Sequence, residues 1–261
     1  MGRTSSTNTS AVQAAHRAPQ AARPGPDRLR YRQKLPLVLA SVSPRREALL
    51  RAAGLQFEVM PSGADEEGIP ARGPRRYAVL AALAKARAVA QHHPNAAVLA
   101  ADTVVALDGE VLGKPASPEG AAAMLRRLRG RWHRVTTGVA VIAPDASGRP
   151  QERTAAVTTR VLMRPYTDEE IAAYVATGDP LDKAGAYAIQ NAQFRPVERI
   201  RGSYPNVVGL PVRTALRLLE EAGAIERVTP QKAGASPGPP APVPAGPGAA
   251  DRNPPPPPRG R

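Results

Sequence analysis

Cysteine is absent from the 261 residues, which removes disulfide frameworks, thiolate zinc sites and cysteine nucleophiles together. Histidine is scarce, at four residues. His92 and His93 adjoin at the end of a helical pattern and His133 opens a strand-like run, so no pair has zinc-ligand spacing. A lone histidine is more often a structural or surface group than a catalyst. There is no Walker loop and no G-x-G-x-x-G, and Ser41, Ser43 and Ser203 lie outside any G-x-S-x-G context, which argues against serine–histidine catalysis. No apolar run reaches the roughly 18 residues that span a bilayer, and the N-terminal region lacks the apolar core of a secretory signal. The expectation is a cytoplasmic protein with no membrane partner.

Proline, at 30 residues, and positive charge, at +14, are abundant, but both are unevenly spread. Residues 1–34 carry seven Lys/Arg and one Asp without apolar periodicity, and residues 229–261 carry four Lys/Arg and one Asp in a Pro-rich run. Neither end buries enough apolar surface to offset its ordering entropy. We expect a disordered basic extension over 1–34, a folded domain over 35–227, and a disordered, partly polyproline II tail over 228–261. The middle is left with only +5, and aromatics make up 3% of the chain. Mild charge without a stacking platform argues against a nucleic-acid partner.

From Leu35 onward strand-like and helix-like segments alternate, the pattern of an α/β domain. "LVLASVSPRREALL" (37–50) reads as strand, tight turn and helix, with Ser43 at the N-cap and Pro44 at the first helical position. "LQFEVM" is strand-like, and "PRRYAVLAALAKARAVAQHH" is helical. "AAVLAADTVVALDGEVLG" is strand material turning at Asp108-Gly109. "SPEGAAAMLRRLRG" is a helix from a Ser117 cap to a Gly130 stop, and "HRVTTGVAVIA" and "RTAAVTTRVLM" form paired strands. Thr167 and Glu170 have capping-box spacing, and "VRTALRLLEEAG" is the last helix. The segment between those two helices, "DPLDKAGAYAIQNAQFRPVERIRGSYPNVVGLP", reads as a long Gly- and Pro-rich loop, a length usually kept for function.

Arg45 and Arg46 fall in the first turn of their helix, where the dipole is positive and a cation costs about 0.3–1 kcal/mol. Asp102 interrupts an apolar strand, where a carboxylate is expensive unless it is paired or metal-bound. Lys85 interrupts an apolar helix face, Lys114 follows a hairpin, and Asp65, Glu66 and Glu67 share the loop "GADEE". Singly each is ordinary surface chemistry. Together they suggest that Arg45, Arg46, Lys85 and Lys114 hold phosphate while Asp102 and Glu66 hold a hard divalent cation such as Mg²⁺. Transfer at a polyphosphate needs both parts, because its catalysis is largely positioning and charge neutralisation.

Four motifs, "LASVSPRREALL", "AADTVVALDGEVLGKP", "GDPLDKAGAYAIQ" and "GSYPNVVGLP", resemble in order and spacing the Maf-type nucleoside triphosphate pyrophosphatases, over about residues 35–225. The resemblance implies an α/β fold with an elongated mixed β-sheet flanked by helices, two lobes around a deep cleft, related to the inosine triphosphatase architecture. It also implies metal-dependent hydrolysis of a nucleoside triphosphate to monophosphate and pyrophosphate, with Mg²⁺ or Mn²⁺ as the cofactor. By motif, Asp102 matches the proton acceptor, Arg45, Arg46 and Lys114 fall where the family binds phosphates, and Arg45, Thr103 and Gln190 match the positions that set base specificity. Glu66 matches the acidic metal loop, although "GADEE" departs from the usual D-x-D-E and leaves Asp65 and Glu67 as alternatives. The 7-methyl-GTP branch has an aromatic residue before a single arginine, Ser-Asp-Gln for Ala-Asp-Thr, and no "DKAGAY", so this chain is similar to the dTTP/UTP branch. One departure is "AIQN" at 188–191 in place of G-I-Q-G, where a required positive φ would strain Ala188. A nucleotide-sensing role in arrest of septum formation is the alternative to hydrolysis. The oligomeric state, homodimer included, stays open.

Overall fold

The computed structural model describes residues 30–65, 68–69 and 72–228. The expected tails and the glutamates Glu66 and Glu67 lie outside them, except that a strand, β1 (Arg30–Gln33), pairs antiparallel with β9 (Ile225–Val228). The folded unit therefore starts ahead of the boundary at residue 35 expected from composition. Four residues with no apolar periodicity join it because their partner strand supplies the ladder.

The main sheet contains β2 (Leu37–Ala40), β3 (Glu58–Met60), β4 (Ala97–Leu107), β5 (Glu110–Leu112), β6 (Trp132–Pro144), β7 (Pro150–Met163) and β8 (Val197–Arg201). Its order is β3-β2-β4-β6-β7-β8, with β5 on β4; β2 runs parallel to β3 and β4, and the remaining pairs are antiparallel. This is the mixed, helix-flanked sheet that the alternating pattern and the motifs implied. Asp108 (φ 52°) and Gly109 (φ 90°) make the β4–β5 turn, as that dipeptide predicts.

Side-chain alternation gives the sheet two faces. On one, helix α2 (Pro74–Ala90) lays Ala82, Ala86 and Val89 over Val98, Ala100, Ala140 and Ile142. The backbones meet so closely that a Cβ at Gly138 would sit 2.1 Å from the Ala78 carbonyl oxygen. On the other face, α1 (Pro44–Ala52) and α6 (Val212–Glu221) cover one apolar cluster built on Leu39, Leu99 and Val141. A second cluster gathers α3 (Pro118–Leu128) and α4 (Asp168–Ala176) over Val105, Val135 and Val161. Between these two clusters the same face turns polar. Thr103 on β4 lies opposite Thr137 on β6, and Thr159 follows on β7. Asn206, from the short helix α5 (Tyr204–Val208), plugs this belt, donating from Nδ2 to the Val135 carbonyl (3.1 Å) and to Thr159 Oγ1 (3.0 Å).

Two local expectations change. The Ser43 side chain makes no capping bond; instead Ser41 Oγ accepts from the Ser43 amide at 3.2 Å, so the turn is tied one step earlier. The 179–211 segment is not structureless. It contains two 3-10 turns (Asp179–Asp182 and Ala184–Ala186), strand β8 and helix α5. Gly and Pro hid these short elements, which are held by side-chain bonds such as Lys183 to the Asp179 carbonyl and Asn206 to the Val135 carbonyl rather than by helix or strand propensity. The Ser117 cap and the Thr167/Glu170 capping box form as expected. No helix among the described residues is long and apolar enough to cross a membrane.

Candidate active site

The cavity that gathers the charged motifs opens at a gap in the sheet. β2 pairs with β4 as far as Leu39↔Leu99, and β5 takes over the same edge only at Val105. From 100 to 104 no strand among the described residues pairs with that edge, while β6 pairs continuously with the other. Asp102 and Thr103 therefore sit mid-strand at an open edge, and the cavity there measures about 460 Å³, within the range of small-molecule sites. Arg45, Arg46, Lys85, Lys114 and Gln190 line it with them. The structure thus brings together seven of the eight residues singled out from sequence; Glu66 lies outside the described residues.

Asp102 was expected to need a partner and has one: Lys85 Nζ on α2 donates to its Oδ1 at 2.7 Å, both side chains being 12% exposed. Lys85, read as a phosphate ligand, is thus also the counter-charge of Asp102. A charge-assisted bond of this kind is short and strong and fixes the carboxylate in direction. Lys85 interrupts the apolar face of α2 because that turn overlies the one charged residue of β4.

Arg46 reaches back across the mouth of α1, donating to the Gly209 carbonyl (3.0 Å), Ser41 Oγ (3.3 Å) and Thr103 Oγ1 (3.4 Å). Its guanidinium is pre-positioned by neutral acceptors, so its charge is not cancelled by these bonds. Gly209 carries φ 129°, a conformation that only glycine adopts freely, and this aims its carbonyl at Arg46. Arg45, on the same turn, is half-buried and lies close enough to Asp182 to help hold that carboxyl below its usual range, after the larger effect of the Lys183 hydrogen bond.

The opposite wall is a network that sequence reading passed over. Lys183, 8% exposed, donates to the Asp179 carbonyl (2.6 Å) and Asp182 Oδ1 (2.6 Å) and pairs with Asp179 Oδ1 at 3.0 Å. With these three partners inside the wall, Lys183 is a brace. Asp179 Oδ2 also accepts from Tyr174 (2.7 Å) and from Asn191 Nδ2 (3.2 Å). Burial pushes the Asp179 carboxyl up, and the bonds from Tyr174, Lys183 and Asn191 more than offset it. The "AIQN" departure is thereby explained. Neither Ala188 nor Asn191 has positive φ, and the Asn191 side chain closes the loop by accepting from the amides of Gln193 (3.2 Å) and Phe194 (2.8 Å). The signal for this wall was the Asp-Lys spacing of "DPLDK", which has no meaning until the chain turns back on itself.

His133 is buried, with Nε2 2.7 Å from the Tyr187 hydroxyl, which agrees with the structural role expected of a lone histidine. Burial lowers its pKa from 6.5 to about 4. The sign follows directly: between those values the unfolded chain binds a proton that the folded chain does not. Stability is unaffected by this group above pH 6.5 and falls as pH drops towards 4, by at most about 1.4 kcal/mol per pH unit. Urea unfolding of the parent and of His133→Gln should give a stability difference that is constant near neutrality and shifts against the parent on acidification. A pH-independent difference would remove His133 as the cause.

Whether a divalent ion suits this donor set can be judged from the residues. No group of three or more His, Cys, Asp or Glu that could hold a metal occurs among the described residues. Among the described residues Asp102 is the one carboxylate on the strand side of the cavity, and its bond to Lys85 is through Oδ1. This fits an ion such as Mg²⁺ that takes one or two carboxylates and completes its shell with water and ligand phosphates.

A mixed α/β sheet whose open edge presents one lysine-paired carboxylate to a cavity ringed by cations defines a protein built to receive a small polyanion. The chain belongs to the Maf-like protein family, whose model matches residues 36–222. It is similar to the dTTP/UTP pyrophosphatase of Thermomicrobium roseum, at 54% identity over 189 residues covering 72% of this chain and 84% of that one. It is also similar to the dTTP/UTP pyrophosphatases of Nitratidesulfovibrio vulgaris (50% identity; 76% and 93% covered) and Koribacter versatilis (46% identity; 76% and 100% covered).

Proposed function

We propose that this protein is a nucleoside triphosphate pyrophosphatase that hydrolyses dTTP and UTP, and modified pyrimidine nucleotides of the same shape, to the monophosphate and pyrophosphate. The observation that carries the reading is Asp102, held by its bond to Lys85 and facing a cavity where Arg45, Arg46 and Lys114 converge. In this reading Asp102 accepts a proton from a water as its oxygen bonds the α-phosphorus. The bond from that phosphorus to the oxygen bridging to the β-phosphorus breaks, and pyrophosphate leaves. A positioned general base of this kind contributes about 10²–10⁴-fold. Arg46 and Lys114 offset the charge of the leaving phosphates, and Lys85 holds Asp102 in its direction. Arg45, Thr103 and Gln190 face the base. A divalent ion, Mg²⁺ or Mn²⁺, held by Asp102 with Glu66, supplies further neutralisation of phosphate charge when bound.

A triphosphate also answers the energetic question raised by "SPRR". Two arginines at a helix N-terminus are unfavourable alone, but with an anion between them and the helix amides both terms become favourable. The test is a panel of dTTP, UTP, dCTP, ITP and 7-methyl-GTP assayed with each metal. The expected result is one pyrophosphate per monophosphate and a preference for dTTP and UTP. Release of inorganic phosphate alone, or preference for 7-methyl-GTP, would overturn the assignment.

A further inference from the structure

We infer that Thr137 is a positioning residue that fixes the Thr103 hydroxyl as an acceptor toward the cavity. Through it the site selects pyrimidines presenting an N–H, thymine and uracil, over cytosine, whose ring nitrogen at that place is an acceptor. The inference rests on the pyrophosphatase reading and deepens it.

A threonine hydroxyl has one proton and two lone pairs. Around Thr103 Oγ1 stand Thr137 Oγ1 at 2.9 Å, Arg46 Nη2 at 3.4 Å and the Gly209 carbonyl at 3.5 Å. Arg46 can only donate and the carbonyl can only accept. Thr137 has its own acceptor, the Asn206 carbonyl at 3.1 Å. The arrangement that keeps the shortest bonds sends the Thr137 proton to Asn206 and the Thr103 proton to Thr137. Were Thr137 to turn its proton to Thr103 instead, the Thr103 proton would go to Gly209. Neither arrangement aims the Thr103 proton into the cavity, and the first leaves it one free lone pair.

An oxygen that only accepts is a poor neighbour for a phosphate, whose oxygens also only accept, and a good one for the N3–H of thymine or uracil. Cytosine would place lone pair against lone pair. Thr137 is fully buried and lies behind Thr103, outside the cavity lining, so it acts on a substrate only through Thr103. The belt of Thr103, Thr137 and Asn206 that divides the two apolar clusters is therefore also a relay that sets which way one hydroxyl points.

The experiment measures kcat and KM for dTTP, dCTP and 3-methyl-dTTP, in which a methyl replaces the N3 proton, with the parent protein and with Thr137→Val and Thr137→Ser. The parent should favour dTTP over dCTP by at least about 10²-fold, towards the roughly 10⁴–10⁵ of a site built to hydrogen-bond its ligand, and should discriminate as strongly against 3-methyl-dTTP. Thr137→Val leaves the Thr103 proton only the Gly209 carbonyl at 3.5 Å, a weak hold from which it can swing outward. The dTTP-to-dCTP ratio should then narrow by about tenfold, through KM with kcat on dTTP kept, while Thr137→Ser should hold the parental ratio. A purely structural role would lower both nucleotides together. An unchanged ratio in a folded Thr137→Val, or a parent that takes 3-methyl-dTTP as readily as dTTP, overturns the inference; the second measurement needs no variant. A parent that releases no pyrophosphate from dTTP overturns the underlying reading instead.

Discussion

Asp102→Asn should lower pyrophosphate release from dTTP by about 10³-fold, within the range of a lost general base, while the nucleotide still raises the melting temperature of the variant. The exchange is nearly isosteric, so the sheet edge that carries the side chain keeps its shape. It removes the proton acceptor and leaves Lys85, 12% exposed, without its 2.7 Å carboxylate partner. A lysine whose 2.7 Å neighbour has become a neutral amide adds attraction for a triphosphate, so binding should be kept or strengthened as turnover is lost. Single-turnover product formation together with a nucleotide-dependent melting shift separates the two. A variant that turned over at the parental rate would end the assignment of Asp102 as the base. A cell-division phenotype surviving in that variant would favour the sensing role over hydrolysis.

The second large effect is expected at Gly138, which pairs across the sheet with Asp102 but does not line the cavity. Gly138→Ala would place a methyl 2.1 Å from the Ala78 carbonyl oxygen, 2.3 Å from its carbon and 2.5 Å from the Val79 nitrogen. All three are backbone atoms of α2, so no rotamer change relieves the clash and the helix must lift. We expect a loss of at least about 3 kcal/mol, the upper end for overpacking, read from the urea midpoint. Because α2 also carries Lys85, the folded fraction should have impaired turnover. A variant with parental stability would mean that the helix is not seated as closely as described.

The fold was legible where local rules decide it. Ser117, Thr167 and Glu170 announce their caps, Asp108-Gly109 its turn, and the alternating runs of β6 and β7 their pairing. What was not legible depends on distant partners. Strand β1 has no apolar pattern and exists by pairing with β9 nearly two hundred residues on. The turns and short elements of 179–211 are held by Lys183, Asp179 and Asn191 rather than by propensity. At the site, Asp102 and Lys85 stood out as charges in apolar surroundings, and the structure makes them one pair. Thr137 gave no signal, because a threonine in a strand looks like ordinary β-propensity until its neighbour across the sheet proves to be Thr103.

The gap in the sheet between β2 and β5 also bears on how this protein avoids its own copies. An unpaired strand edge is a template for another chain, and proteins blunt such edges by shortening them or charging them. Here the open stretch of β4 runs only from 100 to 104, is closed at both ends by neighbouring strands, and carries the charge of Asp102 at its centre. It is too short and too polar to recruit a strand, yet wide enough to admit a small molecule. The residue that does the chemistry in this reading would thereby also guard against aggregation, and an inactive variant that neutralises it should be watched for self-association as well as for lost turnover.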